Sequence, residues 1–203
     1  MIVRSLRVEG WRCFVEALEV GPFSDGLNVV HGPNSIGKSS LFMALGRGLF
    51  DEHTSNAEAI KQLRAWGREL APRLVIEFDH GGSTWRLRKQ YLDGKAAELS
   101  RQEGGRFVPK ADGRTADQQV REMLKGEFYG KKDANPQSWG LAQILWAPQG
   151  RMDVGEVTGE CRQSLQQALG AQIAGGHTHE VERRIAELFA KSFTGTGKLW
   201  VYR

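Results

Sequence analysis

Gly32-Pro33-Asn34-Ser35-Ile36-Gly37-Lys38-Ser39-Ser40 fits the pattern G-x-x-x-x-G-K-[ST], and no other feature of the chain narrows its fold as much. The pattern describes a Gly-rich loop set between a strand and the first turn of a helix. Consecutive backbone N–H groups of such a loop point inward and add to the positive end of the helix dipole, which makes a cage for phosphate oxygens. The flanks suit this arrangement. Leu27-Asn28-Val29-Val30-His31 reads as a buried strand, and the residues from Ser39 to about Phe50 read as a helix. Gly32 and Gly37 allow the tight turn and close backbone approach. In this reading Lys38 reaches the β- and γ-phosphates of a nucleotide and the Ser39 hydroxyl ligates Mg2+. Asn34, Ser35, Ile36, Gly37 and Ser40 complete the cradle, mainly through backbone N–H groups.

The rest of the chain is read around this loop. Ile2 to Gly10 alternates as a strand does, with Ala17-Leu18-Glu19-Val20 as its hairpin partner and Asp25-Gly26 as a turn. A second helix spans roughly Ala57 to Leu70 and stops before Pro72. Strand signals then follow at Leu74–Phe78, Thr84–Tyr91, Ala97–Arg101 and Arg106–Val108, with turns at His80-Gly81-Gly82-Ser83 and Asp93-Gly94. Thr115-Ala116-Asp117-Gln118 has the pattern of a capping box opening a helix. An apolar run, Leu141 to Ala147, ends at Pro148-Gln149-Gly150, and two tail helices are expected at about 159–170 and 178–192. The expected organisation is a P-loop nucleotide-binding core (1–72), an antiparallel β subdomain (73–113), a helix with a loop segment (114–157) and terminal helices (158–203).

Composition sets outer limits. At 203 residues, 40% hydrophobic and 26% charged, the chain has the balance of a globular domain able to bury a core. No window approaches eighteen uncharged apolar residues, so no membrane span is expected. The first seven residues carry neither a long apolar run nor a small-residue cleavage site, and Cys13 and Cys161 form no metal spacing or disulfide framework. Together these point to the cytoplasm. A net charge of +4 permits a nucleic-acid partner without demanding one.

Four pieces together resemble the N-terminal half of an ABC-type ATPase head of the coiled-coil DNA-repair and chromosome-maintenance group, which includes the SMC proteins, SbcC-type repair ATPases and RecF/RecN. They are the opening Val8-Glu9-Gly10-Trp11-Arg12-Cys13-Phe14, similar to the group's N-F-R-x-F element; the phosphate loop beginning Gly-Pro-Asn; the β-meander; and Ala147-Pro148-Gln149-Gly150-Arg151-Met152-Asp153, similar to its Q-loop. The resemblance implies an α/β P-loop NTPase lobe with an antiparallel β-meander and C-terminal helices leading toward a coiled coil. It implies ATP and Mg2+ as ligands, Arg12 against the nucleotide phosphates, and Gln149 beside the metal and its attacking water, so that Lys38 and Gln149 carry the catalytic roles in this chain. Ser35-Ile36 departs from the group's usual Gly-Ala or Gly-Ser pair, and Ser35 constrains the loop more than Gly.

The sequence holds no apolar strand ending in Asp-Glu, no Ser-Gly-Gly signature loop and no identifiable switch His. In the resembled group these lie in a C-terminal half beyond a coiled coil. The chain therefore reads as one lobe of a split head, completed in cis or in trans and inactive by itself. The implied partners are DNA, a second head in a homodimer and a nuclease, in double-strand-break repair, chromosome maintenance or anti-phage defence. Val181, Ile185, Leu188 and Phe189 share one face of the last helix, as the approach to a coiled coil or as packing on its own domain.

Other readings stay open. A transporter's nucleotide-binding subunit shares the loop and the Gln, although 110 residues separate Ser39 from Gln149, more than is usual there. A P-loop kinase or nucleotide sensor is a third. Arg86, Arg88, Lys89, Arg106, Lys110 and Arg114 either track DNA phosphates or form a solvated strand face; Lys125, Lys131 and Lys132 are equally ambiguous. Trp85, Trp139 and Trp146 stack bases or fill core. His177 and His179, two residues apart, do not share a helix face and offer no metal site.

Overall fold

A computed structural model of the chain describes residues 1–124. The Q-loop with Gln149, the tail helices, Trp139, Trp146, Lys125, Lys131, Lys132 and the His177/His179 pair lie outside the described residues. Six strands make one fully antiparallel sheet: β1 (Ile2–Glu9), β2 (Leu18–Val20), β3 (Arg73–His80), β4 (Ser83–Gln90), β5 (Ala96–Glu103) and β6 (Arg106–Asp112), in the spatial order β2-β1-β3-β4-β5-β6. The meander β3–β6 thus extends the sheet that the first hairpin begins. Two of its turns are two-residue Gly-Gly links with both φ positive, at Gly81-Gly82 (58° and 73°) and Gly104-Gly105 (56° and 81°). This is the mirror-image turn whose twist matches antiparallel strands.

Side chains alternate across the sheet. One face carries Leu6, Val8, Leu74, Ile76, Phe78 and Leu87, all buried, and on it lies α1 (Lys38–Phe50). Helix and sheet approach closely at Gly48, where a Cβ would stand 2.7 Å from Ile76 Cδ1. Trp11 and Tyr91 meet edge to face at 6.1 Å in the same core. Among the described residues no helix is long and apolar enough to cross a membrane.

The secondary structure departs from expectation in three places. First, residues 27–31 form no strand: Leu27 is 92% exposed, Val29 72% and Val30 47%. None of the six strands pairs with this segment, so its apolar residues gain nothing from the extended ladder that the pattern anticipates. It is anchored instead through Asn28, which accepts from the Ser24 N–H at 2.9 Å and donates to Gly26 O at 3.0 Å. Second, the helix expected over 57–70 shrinks to α2 (Glu58–Lys61). The backbone beyond it is claimed by the first hairpin, because Arg12 N–H donates to Leu63 O, Ala65 N–H to Gly10 O and Trp66 N–H to Arg12 O, at 2.9, 3.0 and 2.8 Å. Third, α3 (Gly113–Met123) starts before Thr115, and no side chain caps it. Gln118 Nε2 donates forward to Glu122 Oε1 at 3.0 Å, instead of its carbonyl accepting from a Thr115 N–H as a capping box requires.

Candidate functional site

The phosphate loop is exposed, and its conformation follows from two residues with positive φ, Ser35 at 66° and Gly37 at 104°. Gly37 is the N-cap of α1. A side chain there is excluded twice over, since its Cβ would lie 2.5 Å from Phe14 Cζ and 2.6 Å from Cys13 Sγ. The loop therefore rests directly on the turn Trp11–Phe14, whose ends exchange backbone hydrogen bonds at 2.8 Å each. This contact between the two motifs is invisible in the sequence, where 22 residues lie between Phe14 and Gly37.

The start of α1 carries no opposing side-chain charge. No acidic residue lies in its first turn and no side chain caps it, so no side-chain anion opposes the positive end of the dipole there. Lys38 Nζ folds back to donate to Gly32 O and Pro33 O, both at 2.8 Å, and so places a cation over the loop. Ser39 is exposed beside it, whereas Ser40 is buried. Asn34, Ser35 and Ile36 form the exposed rim.

Arg12 sits at φ 49° in the turn that walls the loop. Its Nη1 donates to Met43 Sδ on α1 at 3.5 Å, and its Nε is buried without a hydrogen-bond partner. A buried donor left unpaired is costly, and a phosphate oxygen is the kind of acceptor that satisfies it. The open helix terminus, the folded-back lysine and this orphan donor together fit a nucleotide triphosphate. For Mg2+ the described residues offer the Ser39 hydroxyl; among them no group of three or more His, Cys, Asp or Glu could hold a metal.

The other end of α1 is anchored by donors the sequence does not reveal. Lys89 is 3% exposed, not on the strand surface where the sequence put it. Its Nζ donates to Asp51 O at 2.7 Å and pairs with Asp117 Oδ1 at 2.6 Å. Asp117 also takes His53 N–H at 3.0 Å and holds the His53 ring at 2.6 Å. Arg121 donates to Phe50 O at 2.6 Å and the Tyr91 hydroxyl to Arg47 O at 2.9 Å. Cations and donors at the carbonyl end complement the dipole, so α1 is pinned at its C-terminus and open at its N-terminus. Burial is the largest influence on Asp117 and raises its pKa. The Lys89 charge and hydrogen bonds from Lys89 and His53 outweigh it, leaving the carboxyl below its ordinary value. Asp51 goes the other way, burial lifting it against Arg47, Lys89 and Arg121.

Four of the remaining basic candidates, Arg86, Arg88, Lys110 and Arg114, are paired within the chain. Arg86 bonds Glu77 at 2.6 Å and lies 3.6 Å over the Phe107 ring. Arg88 lies 3.7 Å from Glu98, Lys110 2.8 Å from Glu103 and Arg114 3.8 Å from Glu52; Arg106 is exposed at the start of β6. Away from α1, a hollow of about 420 Å³ is lined by Arg7, Glu19, Arg73, Glu77, Arg86 and Arg88 among others. Its mixed signs give no one-sided field for a polyanion. Trp85 packs against the core, its Nε1 donating to His80 O at 3.3 Å.

Comparison with known proteins adds three findings. A family described as "AAA domain" matches residues 5–135. A stretch of 62 residues is 34% identical to urease accessory protein 2 of Cryptococcus neoformans var. grubii, covering 30% of this chain and 5% of that protein's length. A solved structure described as "Structural biochemistry of ATP-driven dimerization and DNA stimulated activation of SMC ATPases" is 20% identical, with a TM-score of 0.40, over 62% of this chain and 78% of that one. The AAA-domain match takes in most of the first hairpin, the loop and strands β3–β6, well over half of the chain, and the chain belongs to that AAA-domain family.

Proposed function

We propose that this chain is the ATP-binding lobe of an SMC/SbcC-like head that dimerises on ATP and acts on DNA. The observation that carries the reading is the uncapped N-terminus of α1 with Lys38 folded over the loop and Arg12 Nε unpaired beside it. Lys38 exchanges its two carbonyl partners for β- and γ-phosphate oxygens, the loop amides hold the remaining oxygens, and Arg12 supplies a guanidinium to the phosphate chain. Ser39, with Gln149 from outside the described residues, holds Mg2+, whose chemistry is to neutralise charge on the β- and γ-phosphates.

The lobe is one side of a composite pocket. Support comes from Leu27, Val29, Val30 and Ile36, apolar residues left exposed on and just before the loop. A contiguous exposed apolar stretch marks a surface that another element covers. A second lobe, in cis or in trans, supplies the carboxylate strand and signature loop that this sequence lacks, and ATP hydrolysis requires it. Closure is then a population shift driven by the nucleotide's preference for the paired heads. By resemblance the paired heads engage DNA with a nuclease partner, in repair, chromosome maintenance or anti-phage defence, and work in the cytoplasm.

The test is Lys38→Ala. Charge-assisted hydrogen bonds of this type correspond to about a 10- to 150-fold loss of MgATP affinity, read by calorimetry, and ATP-driven dimerisation of the assembled head is lost with it. Unchanged affinity and dimerisation in that variant would refute the reading.

A further inference from the structure

Against Arg12, in the turn on which the phosphate loop rests, stands a large aromatic residue that the loop motif does not account for. Trp66 is 64% exposed, although an indole is among the most favourable side chains to bury. Its position is nonetheless fixed. The Trp66 N–H donates to Arg12 O at 2.8 Å, Arg12 N–H donates to Leu63 O at 2.9 Å, and Trp11 bridges Arg64 in the antiparallel sense. The segment that presents the ring is thus stitched to the turn against which Gly37 packs. The guanidinium carbon of Arg12 lies 5.6 Å from the ring centroid, within the range of a cation–π contact. Gly67 follows at φ 68° with open space where a side chain would stand, so no bulk from the next residue crowds the indole.

We propose that Trp66 is the stacking platform for the base of the nucleotide whose phosphates the loop holds. The proposal rests on the reading of the loop as a nucleotide site and adds the half of the ligand that the loop leaves unaddressed. A nucleotide presents a polyanionic tail and a flat π-face. Here a guanidinium and an exposed indole occur side by side on one rigid turn, and the same turn contacts the phosphate loop through Cys13 and Phe14. Arg12 links the two functions, because its guanidinium touches α1 through Met43 and faces Trp66. Stacking on an aromatic ring tolerates any base, since every base has a π-face. The platform therefore contributes affinity for nucleosides in general and leaves the choice between adenine and guanine to other contacts.

The experiment compares MgATP, MgGTP and magnesium tripolyphosphate, which carries the same anionic tail and no base, on the full chain and its Trp66→Ala variant by calorimetry. The expected result is a loss of roughly 5- to 150-fold in affinity for both nucleotides, tripolyphosphate affinity unchanged, and Trp66→Phe close to wild type. Unchanged nucleotide affinity in Trp66→Ala overturns the platform. So does an equal loss on tripolyphosphate, which reports damage to the loop rather than a lost stack. If wild type takes up nucleotide and tripolyphosphate and Lys38→Ala loses both, the loop reading stands whatever Trp66 does. If wild type takes up neither, the loop reading fails and the platform with it.

Discussion

Replacing Gly37 by alanine tests the central contact of the site, because two separate effects act at that one atom. The first is backbone strain. At φ 104° and ψ 12° an L-residue with a Cβ sits in a sparsely populated region, at about 1–3 kcal/mol. The second is overpacking. The new Cβ meets Phe14 Cζ at 2.5 Å, Cys13 Sγ at 2.6 Å and Phe14 Cε1 at 3.1 Å. Phe14 packs against the core and its turn is closed by backbone bonds at both ends, so the aromatic has little room to yield. An inserted methyl in such a setting costs about 1–3 kcal/mol. Alanine narrows the unfolded ensemble and returns about 0.4–1 kcal/mol. The net expectation is a loss of roughly 2–5 kcal/mol.

Urea unfolding of Gly37→Ala and Gly104→Ala, read as a change in midpoint at constant slope, separates the two effects. Gly104 has φ 56° and open space where its Cβ would go, so it reports strain alone. Gly37→Ala must therefore be the more damaging, and trimming the contact with Phe14→Leu must recover part of the difference in the double variant. The loop has one escape, to withdraw from Phe14. Stability then survives, but the N–H groups lose their arrangement and MgATP affinity falls. Gly37→Ala with both wild-type stability and wild-type affinity would refute the claim that the turn shapes the loop.

The buried ion pair at the far end of α1 gives two further predictions. Lys89→Met keeps the packing but leaves Asp117 charged, buried and without its cation, a change worth about 3–5 kcal/mol; Lys89→Met with Asp117→Asn should lose less than the two single variants summed, and strict additivity in urea unfolding would show that the pair is not coupled. Stability should also fall in acid. Asp117, and Asp79 through its hydrogen bonds from Thr84 and Arg4, have folded pKa values below 3.8, so their contribution is complete above that value and is lost as pH drops through the folded values. Asp51, raised above 3.8, opposes this by favouring folding when protonated. Asp117→Asn should flatten the acid limb of a stability–pH curve, and an unchanged limb would exclude Asp117 as a source of it.

What could be read from the sequence was whatever local chemistry decides. The Gly-Gly turn after His80 lies where positive φ is required twice in a row, and the helix after Lys38 begins where the motif puts it. The misreadings share one cause, the use of backbone or charge by residues distant in sequence. The 57–70 segment has helical texture, but its N–H and C=O groups are taken by Gly10 and Arg12. Lys89 looks like a surface base among Arg86 and Arg88, and only the strand alternation that puts it beside Leu87 in the core explains its burial. Leu27 to His31 has the texture of a strand, but a strand exists only with neighbours, and the six described strands offer it none.

The two ends of α1 show why the candidate site was partly legible and its support was not. An anion cradle is made of consecutive residues, so Gly37, Lys38 and Ser39 announce it by themselves. The rigidity that makes a cradle useful comes from elsewhere. Lys89 of β4, Tyr91 just after it and Arg121 of α3 tie down the carbonyl end, and Cys13 and Phe14 brace the amide end from the first hairpin. None of these residues forms a pattern with the loop in sequence. A helix fixed at its C-terminus cannot slide to relieve a crowded N-terminus. A perturbation at Gly37 is therefore confined to the loop, where it must appear as lost stability or as lost phosphate affinity. Loosening the far anchor with Lys89→Met should accordingly soften the effect of Gly37→Ala, so the loss in that double variant should be smaller than the sum of the separate losses.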